Sequence, residues 1–361
     1  MPDTILKQPK RLLHLDLLRL VAIYLVIFNH TGDRGYMLFA DSIGSGMYFP
    51  YMLVSIFCKI AVPIFFMISG ALLLPKQESL GRLFSKRILR MVLVLILISV
   101  PYYAWLHGAR NLDISRFLTY IYENSASTSL WYLYSYVALL LMMPFLRSMV
   151  RAMQEKDFLY LIAGYIILFG ALPCLEFCLW KGDVTTHESF NPILFLTPNV
   201  FYALMGYYLE HIIGHGGNRK RRIVMGVLLS VVALAITGVM THYQTVAVPE
   251  CDKGRLERFF ECFICIPAMT VYYVMKCLGE RIRGVRLQKL LPVLGGTVFG
   301  VYLIEKIVRS LTNYVYIVSM PIAGSFVASL IWSLVTLCLS IAVIAVLKYT
   351  PGIKKIVNRF I

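Results

Sequence analysis

Charged side chains are scarce in this sequence. They account for 15% of the 361 residues, whereas soluble globular proteins carry about 25%. This shortage excludes an ordinary soluble enzyme. Together with an apolar content of 59% it also excludes a disordered chain, which needs high charge and few apolar residues. The composition therefore predicts a protein that lies mostly within a membrane.

Acidic residues are the scarcest of the charged groups. The chain has 19 Asp and Glu against 35 Lys and Arg, which gives a net charge of +16. In a soluble protein this excess would indicate nucleic-acid binding, but in a membrane protein basic residues concentrate in the connections that stay in the cytoplasm. We therefore expect membrane lipid as a partner and no nucleic acid.

Long polar stretches are also missing, because apolar runs fill most of the chain. A membrane-spanning helix needs about 20 mainly apolar residues. Ten runs of this kind lie at about 12–31, 50–74, 88–106, 129–146, 158–179, 193–213, 222–241, 258–277, 292–309 and 319–347. The sequence therefore predicts an all-α, polytopic helical bundle with about ten transmembrane helices.

Basic residues fall mainly at the two ends of the chain and in every second connection. By the positive-inside rule both termini are then cytoplasmic, which requires an even number of spans. The sequence contains no internal repeat or Gly/Ser-rich linker, and its longest connections, such as 107–128, are only long enough for surface loops. We expect a single transmembrane domain over residues 1–361 with no appended soluble domain.

The eight cysteines show neither the paired spacing of a metal site nor a disulfide framework. Cys262 and Cys265 form an isolated CxxC, and most of the others lie within apolar runs. Such cysteines usually behave as small buried apolar residues, so we expect no metal.

The first apolar run places Asp16, Arg19 and His30 on one segment. Ionisable groups within a span are costly unless they are paired or hydrated, and they often mark functional sites. Asp16 and Arg19 are three residues apart and can pair on one helix face. Arg19 and His30 share nearly the same face and are separated by about 16 Å along the axis. The alternative is an interfacial ion pair with a histidine at the membrane boundary.

Lys59 in the second run and Glu305 in the ninth lie at a similar predicted depth to His30. These three residues could line one cavity that opens outward. Lys59 could instead extend to the membrane surface, and Glu305 could pair with Lys306 or Arg309. The common depth favours the shared cavity.

Two further groups of residues fit ligand binding. Arg87 and Arg90 are three residues apart beside the membrane, a spacing at which two guanidinium groups can hold phosphate oxygens; a positive-inside anchor has the same pattern. Trp131, Tyr132 and Tyr134 begin the fourth run, where aromatic residues either form an interfacial belt or stack on sugar rings.

These motifs resemble membrane-bound acyltransferase family 3, the bacterial O-acyltransferases that modify sugars of the cell envelope. The resemblance covers nearly the whole chain. The matching features are Asp16-x2-Arg19-x10-His30, PIFFMISG at 63–70, Arg87-x2-Arg90, SLWYLYSY at 129–136 with MPFLR at 143–147, and TVFGVYLIE at 297–305.

The resemblance implies transfer of an acetyl or other acyl group from cytoplasmic acetyl-CoA to a hydroxyl of a cell-surface polysaccharide or lipid-linked sugar, in the bacterial inner membrane. It implies that His30 is the catalytic histidine, that Arg19 helps to form the donor site, and that Arg87 and Arg90 bind the donor's phosphates. His30 could act as a general base or as a covalent nucleophile, and Lys59 could stabilise an oxyanion.

The chain departs from the family pattern in two ways. Many members have a histidine where this chain has Glu305, so the role of that histidine is lost or altered, and Glu305 could orient His30 or a substrate hydroxyl. Some members also carry an extracytoplasmic hydrolase-like domain. Without one, we expect transfer to finish in the membrane site or on a separate extracytoplasmic partner protein.

A proton-coupled secondary transporter of a small polar solute is the alternative function, because such carriers also hold ionisable residues within their spans. The lack of a two-fold repeat and of matching Gly/Pro-broken spans argues against it. The sequence leaves open the acceptor sugar, the acyl chain length and the oligomeric state.

Overall fold

The computed structural model describes residues 11–108, 113–182, 197–213, 218–247, 256–352 and 354. Within these ranges the chain forms fifteen α-helices and no β-strand, which confirms the all-α prediction. In chain order they are α1 (Leu13–Asn29), α2 (Tyr48–Cys58), α3 (Ala61–Leu73), α4 (Leu80–Leu83), α5 (Leu89–His107), α6 (Ile114–Glu123), α7 (Trp131–Ala152), α8 (Glu155–Tyr165), α9 (Leu172–Trp180), α10 (Pro198–Tyr207), α11 (Arg219–Ala247), α12 (Cys265–Gly279), α13 (Val285–Gly295), α14 (Val298–Leu311) and α15 (Asn313–Tyr349). Single π-helical turns join α4 to α5 and α8 to α9, and another follows α10.

In the described part of the chain, five helical stretches are long and apolar enough to cross a membrane, and a bent pair adds a sixth if it counts as one span. The five are Tyr48–Leu73, Thr128–Ala152, Glu155–Trp180, Arg219–Ala247 and Asn313–Tyr349. The predicted number of about ten is not confirmed by length and composition. The shortfall is partly physical, because α1 and α12 have only 17 and 15 residues, fewer than the about 20 that cross the hydrocarbon core.

The predicted orientation of the chain stays a prediction. It places both termini in the cytoplasm, and it rests partly on basic residues in segments 1–10 and 355–361. These two segments lie outside the described residues.

The peripheral helices present apolar side chains to their surroundings. Along α11, Val224, Leu228 and Val231 are exposed, and α15 exposes Leu334 and Val343. Continuous apolar surface of this kind would drive association in water, whereas lipid tails are as apolar as the side chains themselves. The chain is therefore a multi-pass membrane protein.

Helices α3 and α10 pack closely at the centre of the bundle, and glycine makes this possible. A Cβ atom on Gly70 would lie 1.8 Å from the Ala203 carbonyl oxygen, and one on Gly206 would lie 1.9 Å from that of Met67. Small residues allow membrane helices to approach to backbone contact. The contact fixes α3, which carries the whole PIFFMISG segment, against α10.

The connection at 107–128 contains a helix, α6, where the sequence predicted only a surface loop. Asp113 caps its start, because the carboxylate accepts hydrogen bonds from the backbone N–H groups of residues 115 and 116. One face exposes Ile114, Leu118 and Tyr122, which recur every four residues. An amphipathic helix of this kind is typical of a membrane interface.

The predicted span at 292–309 is broken, because α13 and α14 meet at an angle of 60°. Cationic side chains from distant parts of the chain stabilise the break. Arg11 donates from Nη2 to the Pro292 carbonyl at 2.8 Å, and Lys348 donates from Nζ to the Gly296 carbonyl at 2.5 Å. The Pro292 carbonyl also accepts the backbone N–H of Gly296 at 3.1 Å, so the cationic donors add to the backbone bonds at the break.

Candidate functional site

A central cavity of about 880 Å³ lies between α1, α3, α5, α7 and α10. Arg19 and His30 both line it, which confirms that the two residues share a face of α1. The break between α13 and α14 contributes to its wall through Gly295 and Gly296.

The central cavity has two ends of different chemistry. The first, here called the basic mouth, is lined by Lys76, Lys86, Arg87 and Arg90. The second, here called the distal end, is lined by Lys59, Trp131, Asn199 and Glu261. Helix α3 runs between them, because Lys59 precedes it and Lys76 follows it. Its 13 residues correspond to a rise of about 20 Å.

The basic mouth concentrates positive charge around a free guanidinium group. Arg90 has a buried Nε that makes no hydrogen bond to any described residue. Arg82 adds a further cation in an adjoining pocket of about 470 Å³ that shares all four cations of the mouth. Arginine and lysine in this arrangement can bind phosphate groups.

Glu78 is the counter-ion at the edge of the basic mouth. It accepts hydrogen bonds from Arg87 Nε at 2.9 and 3.1 Å and from Arg147 Nη2 at 3.1 Å. Arg147 is buried and also donates to the Leu73 carbonyl at 3.1 Å. Glu78 therefore orients Arg87 through its Nε and compensates the buried charge of Arg147.

The charged groups at the basic mouth shift one another's pKa values. Burial raises the pKa of the Glu78 carboxyl, but the hydrogen bonds from Arg87 and Arg147 outweigh this and hold the pKa below its ordinary value. Burial, followed by the charge of Arg87, lowers the pKa of the Lys76 ammonium.

We expect Glu78→Gln to lower the melting temperature of the detergent-solubilised protein at pH 7. The variant leaves the buried Arg147 without an anion, which costs about 1–3 kcal/mol. Since the folded pKa of Glu78 lies below its ordinary value of 4.5, the ion pairs stabilise the fold above that pH, and this contribution is lost as the pH falls below it. The difference in melting temperature between wild type and variant should therefore shrink in acid.

The exposed Glu123 provides the matched control for this measurement. Glu123→Gln removes the same charge and should leave the melting temperature unchanged at every pH. If the difference in melting temperature between wild type and Glu78→Gln stays constant as the pH falls below 4.5, the role given to Glu78 is contradicted.

Asp16 supports Arg19 from behind the cavity wall. It is fully buried and accepts hydrogen bonds from Arg19 Nη1 at 2.7 Å and from Arg11 at 2.8 and 3.0 Å. The predicted pair of Asp16 and Arg19 is present, and Arg11 completes it. Asp16 itself does not line the cavity, so it acts through Arg19.

His30 lies at the end of α1, where its imidazole contacts a buried carboxylate. The side chain is 24% exposed, and its Nδ1 lies 2.8 Å from Oε1 of Glu305, which is 0% exposed. An ionised carboxylate can only accept a hydrogen bond, so Nδ1 carries the hydrogen and donates it; in the neutral imidazole this tautomer leaves Nε2 as the acceptor. An imidazole held in this way can act as a general base or as a nucleophile.

Glu305 lies behind His30 and does not line the central cavity. Its Oε1 accepts a hydrogen bond from Ser129 Oγ at 3.2 Å, and its Oε2 accepts one from Arg309 Nε at 3.4 Å. Lys306 is not its partner, because Lys306 Nζ donates to Ser127 Oγ at 3.2 Å. The cavity predicted for three residues is therefore lined by His30 and Lys59, whereas Glu305 orients His30.

Lys59 points into the protein and does not extend to a surface. Its Nζ donates to Oε2 of Glu257 at 2.5 Å and lies 5.6 Å from the centre of the Tyr36 ring. Because an ammonium group has three N–H donors, the bond to Glu257 leaves donors for a molecule in the cavity.

The three predicted aromatic substrate contacts divide into two groups. Trp131 and Tyr132 line the central cavity. Tyr134 does not, because its hydroxyl donates to the carbonyl of Ile121 at 2.7 Å and lies 3.2 Å from that of Asn124. Tyr134 therefore anchors α6 to α7, and the structure does not bring it to the site.

Six polar residues of the site received no role from the sequence, although Ser129 and Arg147 lie within the motifs SLWYLYSY and MPFLR. They are Glu78, Arg147, Ser129, Asn199, Glu257 and Glu261. Each gives only a weak local signal, because it lies near the end of an apolar run, where polar residues are common. In the described part of the chain, no three His, Cys, Asp or Glu side chains are grouped to hold a metal ion.

The fold and the cavity define a multi-pass membrane protein with an enzyme-like site. A family model described as an acyltransferase domain matches residues 12–349. The chain therefore belongs to acyltransferase family 3, in agreement with its sequence resemblance, and is a membrane acyltransferase. No curated protein and no solved structure matches it.

Proposed function

We propose that this acyltransferase moves an acetyl group from acetyl-CoA to a hydroxyl of a cell-surface polysaccharide or lipid-linked sugar. The observation that carries the proposal is that one cavity contains both the basic mouth and the oriented imidazole of His30. The phosphates of acetyl-CoA fit the basic mouth through Arg87 and Arg90, and the length of the cavity suits the long pantetheine arm. Arg19, held by Asp16, lines the path between them.

The reaction is an acyl transfer assisted by a general base. His30 Nε2 takes the proton from the acceptor hydroxyl while the hydroxyl oxygen attacks the thioester carbonyl carbon. The carbon–sulfur bond then breaks, and Nε2 returns the proton to the departing sulfur, which gives CoA thiol and an acetyl ester. Glu305 keeps Nδ1 protonated throughout and stabilises the imidazolium that forms.

Two other parts of the cavity assist this step. Lys59 supplies an N–H donor to the oxyanion that develops on the carbonyl oxygen. Trp131 and Tyr132 provide aromatic surface for the acceptor sugar.

We place the protein in a bacterial inner membrane as a single transmembrane domain of about ten spans with cytoplasmic termini. The basic mouth then faces the cytoplasm, where acetyl-CoA is made, and the distal end faces the envelope. The excess of basic residues on one side of the predicted spans supports this orientation. Acetyl transfer finishes in the membrane site, or on a separate extracytoplasmic partner that accepts the group there.

Binding of acetyl-CoA to purified protein tests the proposal. We expect Arg90→Ala to weaken the affinity by about 10- to 100-fold, because a hydrogen bond to a charged group contributes about 1.5–3 kcal/mol. Arg90 is the cleanest choice, since its Nε has no partner among the described residues. Isothermal titration with acetyl-CoA measures the change.

The exposed Arg151 at the end of α7 is the matched control, because it lies outside the cavity lining. Arg151→Ala should bind acetyl-CoA as the wild type does. An equal affinity in Arg90→Ala and wild type would contradict the donor site. Uptake of a polar solute by proteoliposomes without acetyl-CoA binding would favour a transporter.

A further inference from the structure

The charges that line the central cavity are distributed unevenly. Among the described lining residues, Glu261 is the one carboxylate, and it lies at the distal end. The basic mouth has four cations in its lining. The two ends are therefore built for ligands of different charge.

Glu261 lies in the segment before α12 and is exposed. It makes no hydrogen bond or ion pair to the described residues. Glu257, four residues earlier, is different, because it is paired with Lys59 at 2.5 Å. Since Glu257 balances the charge of Lys59, Glu261 is the one uncompensated charge among the four residues that line the distal end.

Neutral polar and aromatic groups surround Glu261 in the cavity. Asn199 lies in the first turn of α10, and its amide makes no hydrogen bond to the described residues. Tyr165 and Tyr202 also line this part, with their hydroxyl oxygens 3.4 Å apart. Trp131 lines the cavity and is 47% exposed.

We propose that Glu261, Asn199 and Trp131 form the acceptor subsite, and that it takes a neutral or cationic sugar and disfavours an anionic one. This inference rests on the proposed acetyl transfer. A carboxylate accepts hydrogen bonds from adjacent ring hydroxyls, a carboxamide both donates and accepts, and an indole face covers the apolar side of a pyranose. A uronic acid would bring a second negative charge close to Glu261, which is unfavourable in a partly desolvated cavity.

The test compares three probes of similar shape and different charge: methyl glucopyranoside, glucosamine and methyl glucuronoside. Acetyl transfer to each is measured with labelled acetyl-CoA and purified protein, and binding of each is measured by saturation-transfer NMR. We expect the wild type to prefer the first two over the glucuronoside by about tenfold. Glu261→Gln should largely remove this preference without changing the affinity for acetyl-CoA.

Two further variants keep the inference testable if Glu261→Gln folds poorly. Asn199→Asp is isosteric and adds a second negative charge, so it should increase the discrimination against the glucuronoside. Glu123→Gln, which lies outside the cavity lining, should leave the preference unchanged. Three results would overturn the inference. The wild type could transfer acetyl groups to all three probes equally, it could bind none of them, or Glu261→Gln could keep the wild-type preference.

The result can be separated from the fate of the proposed function. If wild-type protein does not bind acetyl-CoA, the proposed reaction fails, but the NMR comparison of the three sugars still reports on the subsite. If acetyl-CoA binds and the sugars show no dependence on charge, the subsite alone is wrong.

Discussion

Replacement of His30 by alanine should lower the rate of acetyl transfer by about 10³-fold or more, within the range that general-base catalysis contributes. The variant removes the nitrogen that takes the proton from the acceptor hydroxyl, but it leaves the basic mouth intact. Acetyl-CoA should therefore bind as tightly as before, and the loss should appear in kcat and not in KM for the donor. Steady-state rates with labelled acetyl-CoA measure the effect.

His107 provides the control for this experiment. Its imidazole packs against Tyr103 and Tyr120 at the end of α5 and lies outside the cavity lining. His107→Ala removes an imidazole of the same chemistry and should leave the rate of transfer unchanged. Transfer by folded His30→Ala at the wild-type rate would show that another group carries the reaction.

Replacement of Glu305 by glutamine should have the second largest effect, a decrease in kcat of about 10²- to 10⁴-fold. The amide has nearly the same shape, but it can also donate a hydrogen bond, so it no longer requires Nδ1 of His30 to carry the hydrogen. It also leaves Arg309 without its carboxylate partner. Some loss of thermal stability should therefore accompany the loss of rate.

The conservative variant Glu305→Asp distinguishes a role in orienting His30 from a role in supporting the fold. Glu305→Asp keeps the carboxylate and should recover part of kcat, whereas an amide of either length should not. The donor KM should stay constant in all these variants, because Glu305 does not line the cavity. If Glu305→Gln and Glu305→Asp lose activity and melting temperature in proportion, Glu305 supports the fold and does not orient His30.

Relations within one helix could be predicted from the sequence. The pair of Asp16 and Arg19 and the shared face of Arg19 and His30 follow from the period of an α-helix. Composition likewise predicts the all-α fold, because only helices or closed barrels satisfy the backbone in lipid.

Relations between helices could not be predicted in the same way. Glu305 orients His30 from 275 residues away, and Glu257 binds Lys59 from 198 residues away. A single sequence predicts the depth of such residues, but not which helices are neighbours. Depth predicted one cavity lined by His30, Lys59 and Glu305, but it could not show that Glu305 lies behind the histidine and outside the lining.

Two errors have specific physical causes. Tyr134 follows Trp131 and Tyr132 in the same aromatic cluster, but its hydroxyl contacts the backbone of residues 121 and 124; a run of aromatic residues does not show which ring faces a cavity. Helix α6 was not predicted because its 10 residues are too few and too polar for a membrane span. A search for long apolar runs therefore assigns this segment to a loop.

The central claim is that the acetyl group passes through the cavity from the basic mouth to the distal end. Proteoliposomes with labelled acetyl-CoA outside and methyl glucopyranoside trapped inside test it directly. We expect label to appear on the internal sugar while CoA stays outside, and we expect no labelled sugar in vesicles that contain the His30→Ala variant. Acetylation only when donor and sugar share one side of the membrane would contradict it.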